Sequence, residues 1–233
     1  METNTNKISI TLQTGLISQV FTFMGAALLI SGVLAYAIAN NPSLLQLMYP
    51  AEGGVSILGY AIMFSPLIFT LVMSGGFQRF SARTLMVLLI AFSACMGASL
   101  SSLFLVYSTG TLATTFFITG GTFVTMAVIG YTTKTDLSQF GKILFMALIG
   151  IILASIVNWF IGSSAMDYVI SMIGVLVFTG LTAYDMQRIK NMSAEVQGGE
   201  IQTKVAIMGA LSMYLNFVNL FLFLLRLFGG NRD

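Results

Sequence analysis

Residues 205 to 228 read VAIMGALSMYLNFVNLFLFLLRLF, an apolar run that nevertheless carries two asparagines and an arginine. As a helix rising 1.5 Å per residue, this run is about 36 Å long and would cross the roughly 30 Å hydrocarbon core of a bilayer. One face follows steps of three and four through Gly209, Ser212, Asn216, Asn219, Phe223 and Arg226. An amide exposed to hydrocarbon is costly, so this polar stripe should face the interior of a helix bundle. We therefore infer that the last helix is the central one.

The rest of the chain has the composition of a membrane protein. Of its 233 residues, 57% are hydrophobic and 8% charged, whereas about a quarter of residues are charged in soluble domains. Seven runs are long enough to cross a bilayer: Gly15 to Ala39, Val55 to Met73, Leu85 to Tyr107, Leu112 to Tyr131, Ile143 to Ile161, Met166 to Tyr184, and Val205 to Phe228. The sequence thus predicts an all-α membrane protein of seven transmembrane helices, with the C-terminal helix central.

The chain divides into a polar N-terminal tail, residues 1–14, and a transmembrane domain, residues 15–233. No cleavable signal peptide is evident before the first span, which we expect to be an anchor. If every span crosses fully, eight positive charges fall on one side of the membrane: Lys7, Arg79, Arg83, Lys134, Lys142, Arg188, Lys190 and Lys204. The other side receives Arg226 and Arg232. The positive-inside rule then predicts a cytoplasmic N-terminus and an opposite C-terminus, unless the last helix is re-entrant.

Small residues predict where the helices meet, because helices in lipid associate through close packing and interhelical hydrogen bonds. The predicted contact positions are Gly25 and Gly32 on the first helix, Ser93, Gly97 and Ser101 on the third, and Gly150, Ala154 and Asn158 on the fifth. The fourth helix is rich in threonine, whose hydroxyls can bond to their own helix or to a neighbour. We interpret these patterns as packing rather than as a path for solutes.

Several kinds of chemistry are excluded by composition. The chain has no histidine, which removes histidine-ligated zinc, HExxH proteolysis and Ser-His hydrolysis. No lysine lies in the middle of the seventh span, so a retinal Schiff base has no attachment point. An aspartyl protease within the membrane needs two carboxylates, and no aspartate follows Asp185 in a later span. We therefore expect neither an enzyme nor a cofactor.

Four charged residues lie in or beside the spans. Glu52 and Asp167 begin spans, where a carboxylate suits a helix N-terminus, and Arg226 is near enough to a helix end to snorkel. Asp185 differs, because the chain has no Gly or Pro from there until Gly198, so the sixth helix can run on past it. Two interpretations stay open: a surface carboxylate paired with Arg188, or a buried carboxylate facing the polar stripe of the last helix.

Two segments resemble the Bax inhibitor-1 (transmembrane Bax inhibitor motif) family in its compact bacterial branch. They are GLTAYDMQRIKNM, residues 180–192, and ALSMYLNFVNLFLFLLRLFGG, residues 210–230. The resemblance implies a fold in which the C-terminal helix is surrounded by the other six. It also implies a bacterial inner-membrane protein that acts as a pH-sensitive calcium leak channel. It also implies a latch in which an aspartate of the sixth helix, matched by Asp185, bonds a residue of the seventh. The family's second aspartate is matched by Asn216, so one carboxylate of that pair is missing.

This departure changes the expected chemistry. Two close carboxylates cannot readily both ionise, whereas an asparagine amide can donate to an ionised aspartate, so proton control should weaken or move to lower pH. A single carboxylate at Asp185 suits transient passage of calcium rather than tight binding. Ser212 and Asn219 are expected to support the polar stripe, and Arg79 and Arg83 to reach the carboxylate as counter-ions. For the pair to meet in depth, the membrane part of the last helix must begin near Ala210.

The sequence is compatible with two functions. The first is a cation leak channel, whose partners are the bilayer and calcium as the transported ion. The second is a non-transporting membrane protein that binds and regulates other membrane proteins, such as a quality-control protease, with the N-terminal tail as its obvious interaction surface. Nothing in the sequence indicates binding to nucleic acid.

Overall fold

The computed structural model describes residues 2–50, 53–196 and 198–229, with side chains from residue 15 onward. Glu52 and Arg232, and the side chain of Lys7, lie outside the described residues. The described ranges form helices and connecting loops. The helices are α1 (Glu2–Ala39), α2 (Pro42–Met48), α3 (Ile57–Gly76), α4 (Ala82–Leu100), α5 (Leu103–Val106), α6 (Thr109–Thr132), α7 (Ser138–Ile161), α8 (Ser164–Glu195) and α9 (Gly199–Phe228).

Seven helical segments of the described chain are long and apolar enough to cross a membrane, as the sequence predicts. They comprise α1 from Gly15 onward, the combined α4 and α5, and the helices α3, α6, α7, α8 and α9. In α9, 67% of the most apolar window is buried inside the protein, whereas in the other six the share is 11–39%. The prediction that the C-terminal helix is the enclosed one is confirmed.

Local capping explains where several helices begin and end. Asn41 Oδ1 accepts a hydrogen bond from the Leu44 backbone N–H, and Pro42 is the first residue of α2. This short helix is not among the spans predicted from the sequence. Ser81 caps α4 in the same way, accepting from the backbone N–H of Thr84. The predicted third span is interrupted after Leu100, and α5 completes it from Leu103. These caps satisfy N–H groups that have no partner within their own helix.

The chain forms two compact units. The first contains residues 1–108 and 193–211, and in it α4 packs against α1 and α3. The α1–α4 contact depends on two residues of the predicted small-residue row. Ser93 accepts a hydrogen bond at its carbonyl from Ser31 Oγ (2.7 Å), and Gly97 lies against the backbone of Ser31. A Cβ atom on Gly97 would come 2.6 Å from the Ser31 carbonyl oxygen.

The second unit contains residues 109–192 and the chain from residue 212 onward. Its core is an apolar cluster of α7, α8 and α9: Ile151, Ile170, Val177, Phe178, Leu181, Leu220, Phe223 and Leu224. Phe178 and Phe223 stack with ring centroids 5.8 Å apart, and Phe223 also lies over Gly174 of α8. This cluster holds α8 and α9 side by side, with α7 against them.

The predicted helix contacts at Gly25, Gly32 and Gly150 are wrong. Gly32 and Gly150 are exposed, and a Cβ atom on either, or on Gly25, would meet nothing within 4 Å. Ser31 therefore makes the α1 contact that the sequence predicts for the α1 glycines.

In α6, Thr115 and Thr119 are buried, and the Thr119 hydroxyl donates to the Thr115 carbonyl of its own helix. The threonine-rich helix thus satisfies its hydroxyls locally.

Gly97→Ala should destabilise the protein, because the new methyl group would be forced against the α1 backbone, at about 1–3 kcal/mol for overpacking. Gly32→Ala is the matched control on α1, since its methyl group meets open space. Thermal unfolding in detergent micelles measures both. Equal melting temperatures for Gly97→Ala and Gly32→Ala would contradict the assigned α1–α4 contact.

Candidate functional site

Asp185 lies inside α8, with ten further helical residues between it and the helix end at Glu195. It is 4% exposed, so burial removes nearly all of its contact with solvent. Two residues of α9 donate to one carboxylate oxygen, Oδ2: Ser212 Oγ at 2.6 Å and Asn216 Nδ2 at 2.8 Å. Ser212 and Asn216 are four residues apart and therefore share a helix face. The structure thus brings Asp185 and Asn216 together, and their role as a latch is still a prediction.

A cation faces the other carboxylate oxygen. Arg188 Nη1 lies 3.7 Å from Asp185 Oδ1, and the Arg188 side chain is 50% exposed. Both interpretations of Asp185 from the sequence are therefore partly realised, because the carboxylate is buried against α9 and also pairs with Arg188. The predicted counter-ions Arg79 and Arg83 belong to the first unit, and their role stays a prediction.

The polar side chains of α9 donate hydrogen bonds to two helices, α8 and α9 itself. The sequence predicts only a supporting role for Ser212, but its hydroxyl lies closer to the carboxylate than the Asn216 amide does, at 2.6 Å against 2.8 Å. Asn219 donates instead to the Leu215 carbonyl of its own helix, at 2.8 Å. Its amide therefore does not cross to α8. The signal for Ser212 was present in the sequence, since a donor one helical turn before Asn216 points to the same neighbour.

A cleft in the second unit leads to this carboxylate. Its volume is about 620 Å³, and it is lined by residues of α7, α8 and α9. Asp185, Ser212, Asn216, Asn219 and Arg226 supply most of its polar lining. Along α9, the stripe from Ser212 to Arg226 extends for about 21 Å, which is most of the thickness of a hydrocarbon core. The cleft therefore contains a row of polar α9 residues from Ser212 to Arg226, the polar lane, with the Asp185 carboxylate near one end.

Arg226 marks the other end of the lane. Its guanidinium lies 5.5 Å from the Phe223 ring centroid, and Nη1 lies 3.9 Å from Asp167 Oδ1. Asp167 is in the first turn of α8, as predicted for a carboxylate at a helix N-terminus. Both partners of this ion pair are about half exposed, so solvent and headgroups screen it and it contributes little to stability.

The donor set around Asp185 is poor for a resident metal. Among the described residues, no three His, Cys, Asp or Glu side chains come together to hold a metal ion. A calcium ion prefers six to eight oxygens, and Asp185 would meet it as one carboxylate beside amide and hydroxyl groups.

Sequence reasoning missed a clamp just beyond the carboxylate. Gln187 Oε1 accepts from the Leu137 backbone N–H, and Gln187 Nε2 donates to the Thr135 carbonyl, both at 2.8 Å. One turn on, Lys190 Nζ donates to the Tyr131 carbonyl at 2.7 Å and lies over the Tyr131 ring. The last turns of α8 are thus hydrogen-bonded to the loop between α6 and α7 through Gln187 and to the end of α6 through Lys190.

In the same loop, hydrogen bonds from the Ser138 side chain and backbone hold the pKa of Asp136 below its ordinary value. The backbone bond joins Ser138 N–H to Asp136 Oδ1 at 2.9 Å. Asp136 therefore stays ionised at neutral pH and adds a local capping contact at the start of α7.

Comparison with known proteins gives consistent results over the whole chain. The family model described as inhibitor of apoptosis-promoting Bax1 matches residues 13–233. The inner membrane protein YbhL of Escherichia coli K12 is 43% identical over 217 residues, which cover 92% of this chain and 91% of that protein. An uncharacterized protein of Borreliella burgdorferi is 40% identical over 228 residues, 97% of each chain. One from Caulobacter vibrioides is 41% identical over 219 residues, 92% of this chain and 88% of that protein.

Gln187→Leu should loosen the loop between α6 and α7, because it removes both hydrogen bonds and leaves the Leu137 N–H without its side-chain acceptor. Hydrogen exchange read at peptides covering residues 133–138 should become faster. Gln78→Leu, at an exposed position beyond α3, is the control and should leave these peptides unchanged. Unaltered exchange in Gln187→Leu would show that the clamp does not hold the loop.

Proposed function

Because the chain belongs to the Bax inhibitor-1 family, we propose that it is a pH-sensitive cation leak channel, with calcium as the main ion, gated where α8 meets α9. The observation that carries the proposal is the buried Asp185 carboxylate, bonded by Ser212 and Asn216 at the end of a polar lane. A carboxylate within a membrane-spanning bundle is expensive to keep and commonly marks an ion or proton path. The relative named as an inner membrane protein supports the same location here. We place the N-terminus in the cytoplasm on the charge bias.

The closed state follows from the hydrogen bonds. Ser212 and Asn216 tie the Asp185 carboxylate to α9, so an ion passing this point must displace donors from a charged acceptor. Such charge-assisted bonds are stronger than bonds between neutral groups. Opening then requires α8 and α9 to exchange these bonds for water or for the ion itself. The lane from Ser212 to Arg226 provides polar groups along the remaining path.

The asparagine sets the direction of the pH response. Two carboxylates at this contact would share a proton at low pH and repel each other once both ionise. The amide of Asn216 instead donates to Asp185 when the carboxylate is ionised, so this contact persists as the pH rises. Protonation of Asp185 removes the charge that strengthens both bonds. The native chain should therefore respond to pH less than a chain with two carboxylates at this contact.

A regulator that binds other membrane proteins is the second candidate. One observation favours it: α1 begins at Glu2, thirteen residues before its apolar span starts at Gly15. This stretch matches the polar tail of residues 1–14 and offers a helical segment beyond the span. Such a segment suits docking to a partner better than it suits conduction.

Asn216→Asp should enlarge the pH dependence of calcium flux into liposomes, with flux rising as the pH increases and both carboxylates ionise. Asp185→Ala should abolish the pH dependence, because the titrating group is gone. Glu195→Gln removes an exposed carboxylate from the end of the same helix and should behave as the native chain. The measurement is flux by an entrapped calcium dye at several pH values.

Absence of calcium flux in the native chain and in Asn216→Asp at every pH would contradict the channel and favour the regulator. Calcium flux with the same pH profile in all variants would support the leak channel but contradict the role of Asp185 and Asn216 as a latch. Circular dichroism of each variant in the same liposomes checks that the helices are intact.

A further inference from the structure

The cleft that reaches Asp185 has the dimensions of a site for a small organic molecule. Its volume of about 620 Å³ lies within the roughly 300–1,000 Å³ of typical ligand pockets. Such pockets combine mostly apolar walls with a few placed polar groups, and this cleft has both. The proposed ion path uses the polar residues of the cleft, whereas its apolar wall has no part in that function.

The apolar wall is supplied mainly by α7. Seven residues of this helix line the cleft: Phe145, Leu148, Ile151, Ile152, Ser155, Ile156 and Trp159. All but Ser155 are hydrophobic. In α7 only 11% of the most apolar window is buried, the smallest share among the seven spans of the described chain. Much of α7 is therefore exposed, and the residues of its cleft wall face the same cavity as the polar residues of α9.

The inner end of the cleft carries a negative charge with spare acceptor capacity. The Asp185 carboxylate offers about four lone-pair positions, of which Ser212 and Asn216 use two, both on Oδ2. Arg188 approaches Oδ1 at 3.7 Å, beyond hydrogen-bond distance, and is half exposed. A primary ammonium group could therefore donate to Oδ1. At the other end, Arg226 already faces Asp167.

We propose that this cleft binds lipophilic organic amines, with the ammonium group on the Asp185 carboxylate and the apolar body against the α7 wall beside Phe145 and Leu148. Charge complementarity selects a cation, because Arg188 is half exposed and too far from Oδ1 for a hydrogen bond, so an ammonium adds a charged donor at this oxygen that a neutral ligand lacks. The apolar wall selects a hydrophobic body over a small inorganic ion. Binding depends only on the cleft, whereas block of cation flux by such an amine rests on the proposed function.

The test compares two probes that differ in one group: 4-(4-bromophenyl)butylamine, a cation at neutral pH, and the corresponding neutral alcohol. The bromine atom quenches tryptophan at short range. Trp159, the single tryptophan of the chain, lines the cleft and is 80% exposed. Combining Trp159→Phe with Phe145→Trp moves the reporter to the end of the α7 wall that lies beside Tyr184. The protein is held in zwitterionic phosphatidylcholine nanodiscs, which lack anionic lipid that would attract the amine.

The amine should quench the reporter at position 145 at least about tenfold more tightly than the alcohol does, as expected for a hydrogen bond to a charged group. Asp185→Asn should remove this difference, and Glu195→Gln should preserve it. The native tryptophan at position 159 should respond to both probes alike. The comparison of amine with alcohol needs no change at Asp185, so it stands even if Asp185→Asn does not fold.

Equal affinity for amine and alcohol would overturn the proposal, since the cleft would then be only an apolar surface. A difference that survives in a folded Asp185→Asn variant would overturn the assignment of the carboxylate. Binding without block of calcium flux would leave the amine site intact and count against the cleft as the path of the ion. The failure of the two proposals can thus be told apart.

Discussion

The carboxylate of Asp185, buried between two helices and bonded by Ser212 and Asn216, is the contact on which the second unit depends. Lipid provides no hydrophobic drive for helices to associate, so close packing and interhelical hydrogen bonds must hold them together. Here both bonds converge on one charged oxygen. Separating α8 from α9 would leave a charge and two donors without partners in a place that water reaches poorly.

The surrounding packing keeps this contact in register. Phe223 lies over Gly174 and stacks on Phe178, about two to three turns from the carboxylate contact along each helix. Beyond Asp185, Gln187 bonds the loop that joins α6 to α7. The carboxylate therefore lies between an apolar contact on one side and a polar clamp on the other. A rotation of α8 that moved Asp185 would disturb both, which links the state of the site to α7 and its cleft.

Much of this arrangement could be predicted from sequence because it depends on long periodic patterns. Span lengths follow from bilayer thickness, and the polar stripe of the last run requires an enclosed helix. The absence of Gly and Pro after Asp185 correctly placed it inside α8. The placement of Asn216 opposite Asp185 relied on family resemblance, together with the inference that the membrane part of the last helix begins near Ala210.

The misses have two physical causes. Gly25, Gly32 and Gly150 recur at helical spacing, but spacing alone does not say which face meets a neighbour and which meets lipid. Both faces of a membrane helix are apolar, so the usual contrast between buried and exposed sides is absent. The clamp at Gln187 was missed because its partners are backbone groups some fifty residues away, which carry no side-chain signature.

A double-mutant cycle measures the central contact most directly. Asp185→Asn, Asn216→Ala and the double variant are compared by reversible unfolding in mixed micelles, with Asn219→Ala replacing Asn216→Ala in a control cycle. The Asp185–Asn216 cycle should give a coupling of about 1–2 kcal/mol, as expected for a strong interhelical bond in a membrane protein. The Asn219 cycle should give a coupling close to zero, because Asn219 bonds its own helix. Additive effects in the Asp185–Asn216 cycle would contradict the claim that this carboxylate joins the two helices.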